Sequence, residues 1–382
     1  MSIYLDHNAT TPVDPRVAEA MLVPLREAFG NPSSLHRFGQ KARGMIEEAR
    51  AEVARLVGAT AAEIVFTGSG TEADNLALRG FSGAARGARR TIVYAAIEHH
   101  AIVNTAKALA EEGTSVVSVR CRPDGVIDLE DLRAKLDEET ALVAVMLANN
   151  ETGVLQPIGE VARIARAQGA SVHCDAVQAV GKVPVDVKDL DVDTLALSAH
   201  KFGGPKGVGA LFVRQGTRLR ALLRGGSQER NRRAGTENVA GIVGLGKAAE
   251  IVRTEAGGEA ERLAPLRDAL EQALLKNPGT RPNGAGPRVA NTTNVSFDGI
   301  EAESLVLALD LEGVAVSTGA ACAAGAIEPS HVLRAMGLPV SRVQGSVRFS
   351  LGRGNTAAEI DAASGLVASI LERQRRLAPS RP

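Results

Sequence analysis

The stretch Ser198-Ala199-His200-Lys201-Phe202-Gly203-Gly204-Pro205-Lys206-Gly207 decides how the chain is read. An apolar run from Val192 to Leu197 leads into it, and a second run from Val208 to Val213 leads out. Apolar runs of this length, bounded by turn residues, read as buried strands. Lys201 is therefore expected at the end of a strand, just before a tight glycine turn. A lysine enclosed at such a place can lose its proton, and the neutral amine can form a Schiff base with an aldehyde. Taken alone, Lys201 reads more readily as a solvated loop lysine, since perturbed lysines are the minority.

Outward from this stretch, strands and helices alternate. The expected strands are Glu63–Thr67, Thr91–Ala96, Ser115–Val119, Ala141–Ala148, Ser171–Asp175, Thr194–Ser198 and Val208–Val213. The expected helices between them cover 72–82, 100–112, 128–137 and 157–168. Two helices precede the first strand, over 14–28 with Pro24 as a possible end or kink, and over 39–57. Alternation of this kind implies βαβ crossovers and an α/β fold with a mainly parallel sheet, helices on both faces. After residue 238 the pattern changes to helix first, with a strand near Val347–Leu351. At 382 residues the chain exceeds the usual size of one core. We expect a large domain over 14–255 and a smaller α+β domain made of 1–13 and 256–382.

In parallel sheets ligands sit at the carboxyl ends of strands. The first strand ends in Thr67-Gly68-Ser69-Gly70-Thr71, a glycine turn opening a helix and a ready anion site, with Thr71 as the expected cap. The same pattern also fits an ordinary helix cap, and it lacks the Gly-Lys-Ser/Thr ending of a nucleotide loop. The second strand is followed by His99, able to stack on a flat ring or move protons. The fourth is followed by Asn150, whose amide can donate to a ring oxygen. The fifth ends in Asp175, with Gln178 close behind; a carboxylate there can hold a pyridine nitrogen protonated. The sixth delivers Ser198, His200 and Lys201. Together these suggest a site for pyridoxal phosphate.

Composition narrows the class. Apolar residues make up 45% and charged residues 23%, and the formal net charge is zero, so neither nucleic acid nor membrane binding is expected. Three cysteines, Cys121, Cys174 and Cys322, argue against a disulfide framework and for a reducing, cytoplasmic setting. No signal peptide is expected from the first residues, and 378–382 read as a disordered tail. Cys121 and Cys174 adjoin strands and read as structural. Cys322 lies among small residues, Ser317-Thr318-Gly319-Ala320-Ala321-Cys322-Ala323-Ala324, expected to form a mobile loop suited to a nucleophile that must travel.

The chain resembles, nearly end to end, the cysteine desulfurases of the NifS/IscS type, fold-type-I pyridoxal phosphate enzymes of the class-V aminotransferase family. The resemblance rests on Tyr4-Leu5-Asp6-His7-Asn8-Ala9-Thr10-Thr11-Pro12, Phe29-Gly30-Asn31-Pro32-Ser33-Ser34, Thr71-Glu72-Ala73-Asp74-Asn75 and Asn149-Asn150-Glu151-Thr152-Gly153. It continues through Arg233-Ala234-Gly235-Thr236-Glu237-Asn238, Cys322 with Glu328-Pro329-Ser330-His331-Val332, and Arg348-Phe349-Ser350-Leu351-Gly352-Arg353. It implies a large domain with a seven-stranded sheet and a role for each matching residue. Lys201 is the Schiff-base lysine and His99 the stacking acid/base. Asp175 partners the pyridine nitrogen, and Gln178 and Asn150 meet the ring-oxygen side. Gly70, Thr71, Ser198 and His200 hold the phosphate, joined by Thr236 from a neighbouring subunit of a homodimer. Arg348, with Asn150, takes the substrate carboxylate, and Cys322 carries a persulfide. L-cysteine would yield alanine, and sulfur would pass to an acceptor such as an iron–sulfur scaffold or towards tRNA thiolation. The loop departs from the family in its alanines, where serines are frequent.

Two other readings share some of these residues. A selenocysteine lyase or another pyridoxal-phosphate β-lyase would use the same cofactor residues without a persulfide on Cys322. A metal-dependent hydrolase would use His99, His100, His173, Cys174 and Asp175, although no paired-histidine helix or Cys-x-x-Cys supports it.

Overall fold

The computed structural model describes residues 2–84, 90–318 and 329–377. Cys322, Glu328 and the tail 378–382 lie outside the described residues. In chain order the strands are β1 (Ile3–Tyr4), β2 (Ile64–Thr67), β3 (Thr91–Ala95), β4 (Ser115–Val119), β5 (Thr140–Ala144), β6 (Ser171–Asp175), β7 (Thr194–Ser198) and β8 (Gly209–Val213). β9 (Thr280–Pro282), β10 (Thr292–Phe297), β11 (Val314–Ala315) and β12 (Ser346–Ser350) follow. The helices are α1 (Pro15–Glu27), α2 (Arg37–Leu56), α3 (Gly70–Ala84), α4 (His100–Glu111), α5 (Leu129–Lys135), α6 (Ile158–Ala167) and the short turn α7 (Gln228–Asn231). They continue with α8 (Val239–Glu255), α9 (Glu259–Leu275), α10 (Ala302–Leu311), α11 (His331–Ala335), α12 (Val340–Gln344) and α13 (Ala357–Leu377).

Seven strands form one sheet in the order β2-β8-β7-β6-β5-β3-β4. All its pairings are parallel except those of β8, which runs antiparallel to both neighbours. β7 and β8 face each other from Thr194↔Val213 to Ser198↔Gly209, so the Lys201 stretch is the link between two hydrogen-bonded strands. Both are buried along their whole length, which is why their sequence is apolar on both faces.

β5 is shorter than expected, ending at Ala144 where the sequence suggested Ala148. Val145 and Leu147 still donate to His173 and Asp175 carbonyls on one side. On the other side β3 has ended, and the Glu98 carboxylate takes the Met146 N–H at 2.7 Å. A side chain has replaced a strand as the acceptor. Pro24 does not end α1, which continues to Glu27.

A second core gathers residues from both chain ends. Ile3 and Leu5 pack with Val295, Phe297, Leu305, Val347, Phe349 and residues of α13. β1 pairs parallel with β11, and β10 lies between β9 and β12 in an antiparallel sheet. Only β12 of this part was expected. The N-terminal segment then crosses back to the large sheet, where Thr11 N–H donates to the His200 carbonyl at 2.9 Å. That crossing brings Asp6 and Asn8 beside Lys201.

Candidate active site

Lys201 ends a single 3₁₀ turn, Ala199–Lys201, that follows β7. The turn is tight: Gly204 N–H donates to the Ala199 carbonyl, and a Cβ on Gly204 would lie 2.7 Å from Ala199 Cβ. Gly203 holds φ +83, open to glycine at little cost. The Lys201 amine donates to the Asn8 and Ala9 carbonyls at 2.6 and 2.9 Å. Burial, and then the Arg348 charge, bring it down to about 8. It is not a solvated loop lysine.

Asp175 closes β6 and is buried. Its Oδ1 accepts from Val177 N–H at 2.9 Å. Burial raises it to about 6, opposed by that hydrogen bond and by Lys201. Two more buried carboxyls, Asp74 and Glu98, are pushed well up by burial and by the Asp175 charge. Asp74 meets His173 Nε2 at 3.1 Å. His99 caps α4, its Nδ1 accepting from Ala101 N–H at 3.1 Å. The residue is exposed at its surface, yet enough protein surrounds it that burial, and then the Lys201 charge, lower it to about 4. One polar atom each from Asp74, His99 and Asp175 lies within 4.8 Å of the others.

The turn before α3 opens the helix where expected, but its cap differs from expectation. Ser69 Oγ, not Thr71, accepts from the helix, taking Glu72 N–H at 3.0 Å. Thr71 falls one position inside the first turn and is exposed. Glu72 folds back to accept from Gly68 N–H at 2.7 Å and is held by Arg233 at 2.8 Å. A Cβ on Gly70 would lie 2.6 Å from Val177 Cγ2 and 3.3 Å from Ser198 Cβ, so only glycine fits between α3 and the ends of β6 and β7. Ser198 is buried there, and His200 Nδ1 lies 3.1 Å from Thr10 Oγ1.

On the rim, Arg348 of β12 reaches across from the second core. It donates to the Asn150 carbonyl at 2.9 Å and to Asp6 Oδ1 at 2.7 Å. Asn149 shapes the turn before Asn150 by accepting from Glu151 and Thr152 N–H. Among the described residues, Asn150 Oδ1 and Arg348 Nε are buried without a hydrogen-bond partner. Buried polar atoms left unpaired are rare in native proteins; Arg348 Nε fits an accepting, anionic ligand group, and Asn150 Oδ1 fits a donor. Gln178 donates to the Asn8 carbonyl at 2.8 Å and accepts from Lys182 at 2.6 Å.

The sequence-selected residues Gly70, Thr71, His99, Asn150, Asp175, Gln178, Ser198, His200, Lys201 and Arg348 thus lie at the strand ends or the rim facing them. Thr236 does not join them. It is exposed and lines a separate pocket of about 150 Å³ with Gly68 and Arg233. Its segment follows three successive left-handed residues, Glu229, Arg230 and Asn231, of which Glu229 is locked by Arg50 at 2.6 and 2.8 Å. The set proposed for a metal hydrolase is not assembled. Cys174 is sealed in the core with its thiol pushed up by burial, and His173 is committed to Asp74 and Thr194. Sequence reading assigned no role to Asn8, Lys182, Asp6, Asp74 or Glu98. Asp6, Asn8 and Asp74 had a visible signal, their place in the stretches Asp6-His7-Asn8 and Thr71-Glu72-Ala73-Asp74-Asn75.

A family model described as Aminotransferase class-V matches residues 3–363. The chain is 49% identical over 379 residues to a cysteine desulfurase of Trichormus azollae, covering 99% of this chain and 94% of that one. It is 46% identical over 382 residues to the cysteine desulfurase IscS of Methanosarcina thermophila, covering 100% and 95%. A solved structure titled NifS-like protein superposes with a TM-score of 0.92 at 40% identity, over 98% of this chain and 100% of that one. The chain belongs to the class-V aminotransferase family.

Proposed function

We propose that this protein is a pyridoxal-phosphate-dependent cysteine desulfurase that converts L-cysteine to alanine and takes the sulfur onto Cys322. The observation that carries the reading is Lys201, an amine brought near neutrality in the same cluster as a buried Asp175 and an incompletely paired Arg348. Pyridoxal phosphate, when bound, supplies an electron sink for charge developing at the amino acid's Cα.

The chain's own residues do the rest. Lys201 would hold the cofactor's aldehyde carbon, and the Gly70–Thr71 turn, Ser198 and His200 its phosphate. Asp175, ionised above about 6, would hold the pyridine nitrogen as its protonated form. Arg348 and Asn150 would take the substrate carboxylate. Lys201 removes the Cα proton once its amine is free and neutral. His99, neutral at physiological pH, would stack on the ring, and the Lys201 ammonium that holds the Cα proton would be the acid that returns one. The Cys322 thiolate attacks the substrate sulfur. As the sulfur–sulfur bond forms, the substrate Cβ–S bond breaks, and its electrons stay on Cβ, which takes a proton to become alanine's methyl.

The reading includes a homodimer in which Thr236 serves the partner's phosphate site, with which its exposure accords. It also includes an acceptor protein for the persulfide sulfur, an iron–sulfur scaffold being the first candidate. A cytoplasmic, reducing setting accords with Cys121 and Cys174 as free thiols. Among the described residues no helix is long and apolar enough to cross a membrane. A division into 14–255 and 1–13 with 256–382 is supported by a second core drawn wholly from 1–13 and 256–382, with Val289, Val332, Leu333, Met336 and Val343 of the smaller part packing onto the first core.

Mass spectrometry of the protein after L-cysteine tests the sulfur route. We expect a one-sulfur adduct on Cys322, with turnover lost in Cys322→Ser. Full turnover in Cys322→Ser, or no adduct on Cys322, would overturn it.

A further inference from the structure

Lys182 is a second amine in the same neighbourhood, and the mechanism above does not use it. Its amine donates to Asn8 Oδ1 at 2.7 Å and to Gln178 Oε1 at 2.6 Å. Burial, then the charges of Lys201 and Arg348, hold it well below the ordinary lysine value. Two neutral amide acceptors stand in reach of the amine, and no carboxylate among the described residues hydrogen-bonds it.

What Lys182 fixes is the orientation of two amides. With Oε1 claimed by Lys182, Gln178 must turn Nε2 towards the Asn8 carbonyl. With Asn8 Oδ1 claimed by Lys182 and Asn291, Asn8 must turn Nδ2 towards the Asn150 carbonyl and Thr292. The Asn8 carbonyl is then shared between Gln178 and Lys201. The Asn150 carbonyl is likewise shared between Asn8 and Arg348. Asn8 thus links both amines to the arginine of the rim.

We propose that Lys182 is a positioning residue that, through Gln178 and Asn8, rations the carbonyl oxygen on which Lys201 rests and so keeps Lys201 ready to capture an aldehyde. This rests on the reading of Lys201 as the cofactor lysine. The ionisable groups around the pair are Asp6 and His7 from the N-terminal segment, Arg348 from β12, Asp175 from β6, His99 at the head of α4, and His200 in the Lys201 turn. None of these hydrogen-bonds Lys182; its two bonds are to neutral amides.

Lys182→Met removes the donors and keeps much of the bulk. Gln178 is then free to turn away, the Asn8 carbonyl falls to Lys201 alone, and the Lys201 ammonium is favoured. Loss of any residual charge on Lys182 acts in the same direction. Lys182→Arg keeps donors and has room, because Lys182 lines a cavity of about 700 Å³ with Val183, Phe202 and Ile251.

The test is the pH profile of pyridoxal phosphate capture by the full-length chain freed of cofactor, followed by absorbance, with thermal melting recorded in parallel. We expect the midpoint to rise by about one unit in Lys182→Met and not to rise in Lys182→Arg. Lys182→Gln, shorter by a methylene, is expected to behave as Met and serves if Met does not fold. An unchanged midpoint in folded Met and Gln variants, with only the melting temperature moved, would reduce Lys182 to a packing residue and overturn the proposal. Failure of the wild-type chain to capture the cofactor would instead overturn the reading of Lys201.

Discussion

The floor and the rim of the site treat charge in opposite ways. On the floor, at the ends of β6 and β7 and the head of α4, burial suppresses it: Asp74, Glu98 and Asp175 are raised, while His99 and Lys201 are lowered. On the rim, Arg348 is paired with Asp6 at 2.7 Å. Groups near neutrality can exchange protons, so the floor is suited to chemistry. A guanidinium recognises an anion, so the rim is suited to binding. Asn8 joins the two, touching Lys201 and Lys182 on one side and Asn150 on the other.

If this division is right, floor and rim substitutions separate in their kinetics. Asp175→Asn should lower kcat about a thousandfold, roughly 4 kcal/mol of barrier, with KM within a few-fold of wild type. Arg348→Leu should act mainly on KM, with kcat/KM for L-cysteine down about a hundredfold. Steady-state kinetics on both would break the comparison if the two effects were exchanged. The pH profile sharpens it. Lys201 at about 8 is mostly ammonium at neutral pH, so cofactor capture by the wild-type chain should rise roughly tenfold from pH 7 to pH 9. A flat profile would mean the floor does not set the amine's charge. The smallest effect is expected at Asp6, which competes with a substrate carboxylate for the guanidinium. Asp6→Asn should lower KM about threefold, and a higher KM would mean that Asp6 aims Arg348 and does not compete.

The floor was largely legible in sequence, because apolar strands such as Val192–Leu197 end abruptly in polar residues and the strand ends name the site. The second core was not. β10, Thr292–Phe297, reads Thr-Thr-Asn-Val-Ser-Phe and is nevertheless fully buried. Its polar side chains are satisfied inside: Thr293 donates to Glu271, Asn294 Oδ1 accepts from Asn283, and Asn294 Nδ2 donates to the Glu151 carbonyl. Hydropathy carries no trace of such a strand. β1 and β11 have two residues each, too few for a period. Lys182 was invisible for another reason. Its partner Asn8 is 174 positions away, and only the fold makes the pair. Thr71 was misread as the cap because Ser and Thr are equivalent at that position by type, and the backbone chose Ser69.

Product analysis with L-cysteine and a thiol reductant tests the central claim most directly, with alanine, sulfide and pyruvate quantified together. The account predicts alanine and sulfide in equal amounts and no pyruvate. Pyruvate in place of alanine would contradict it and assign the protein to β-elimination.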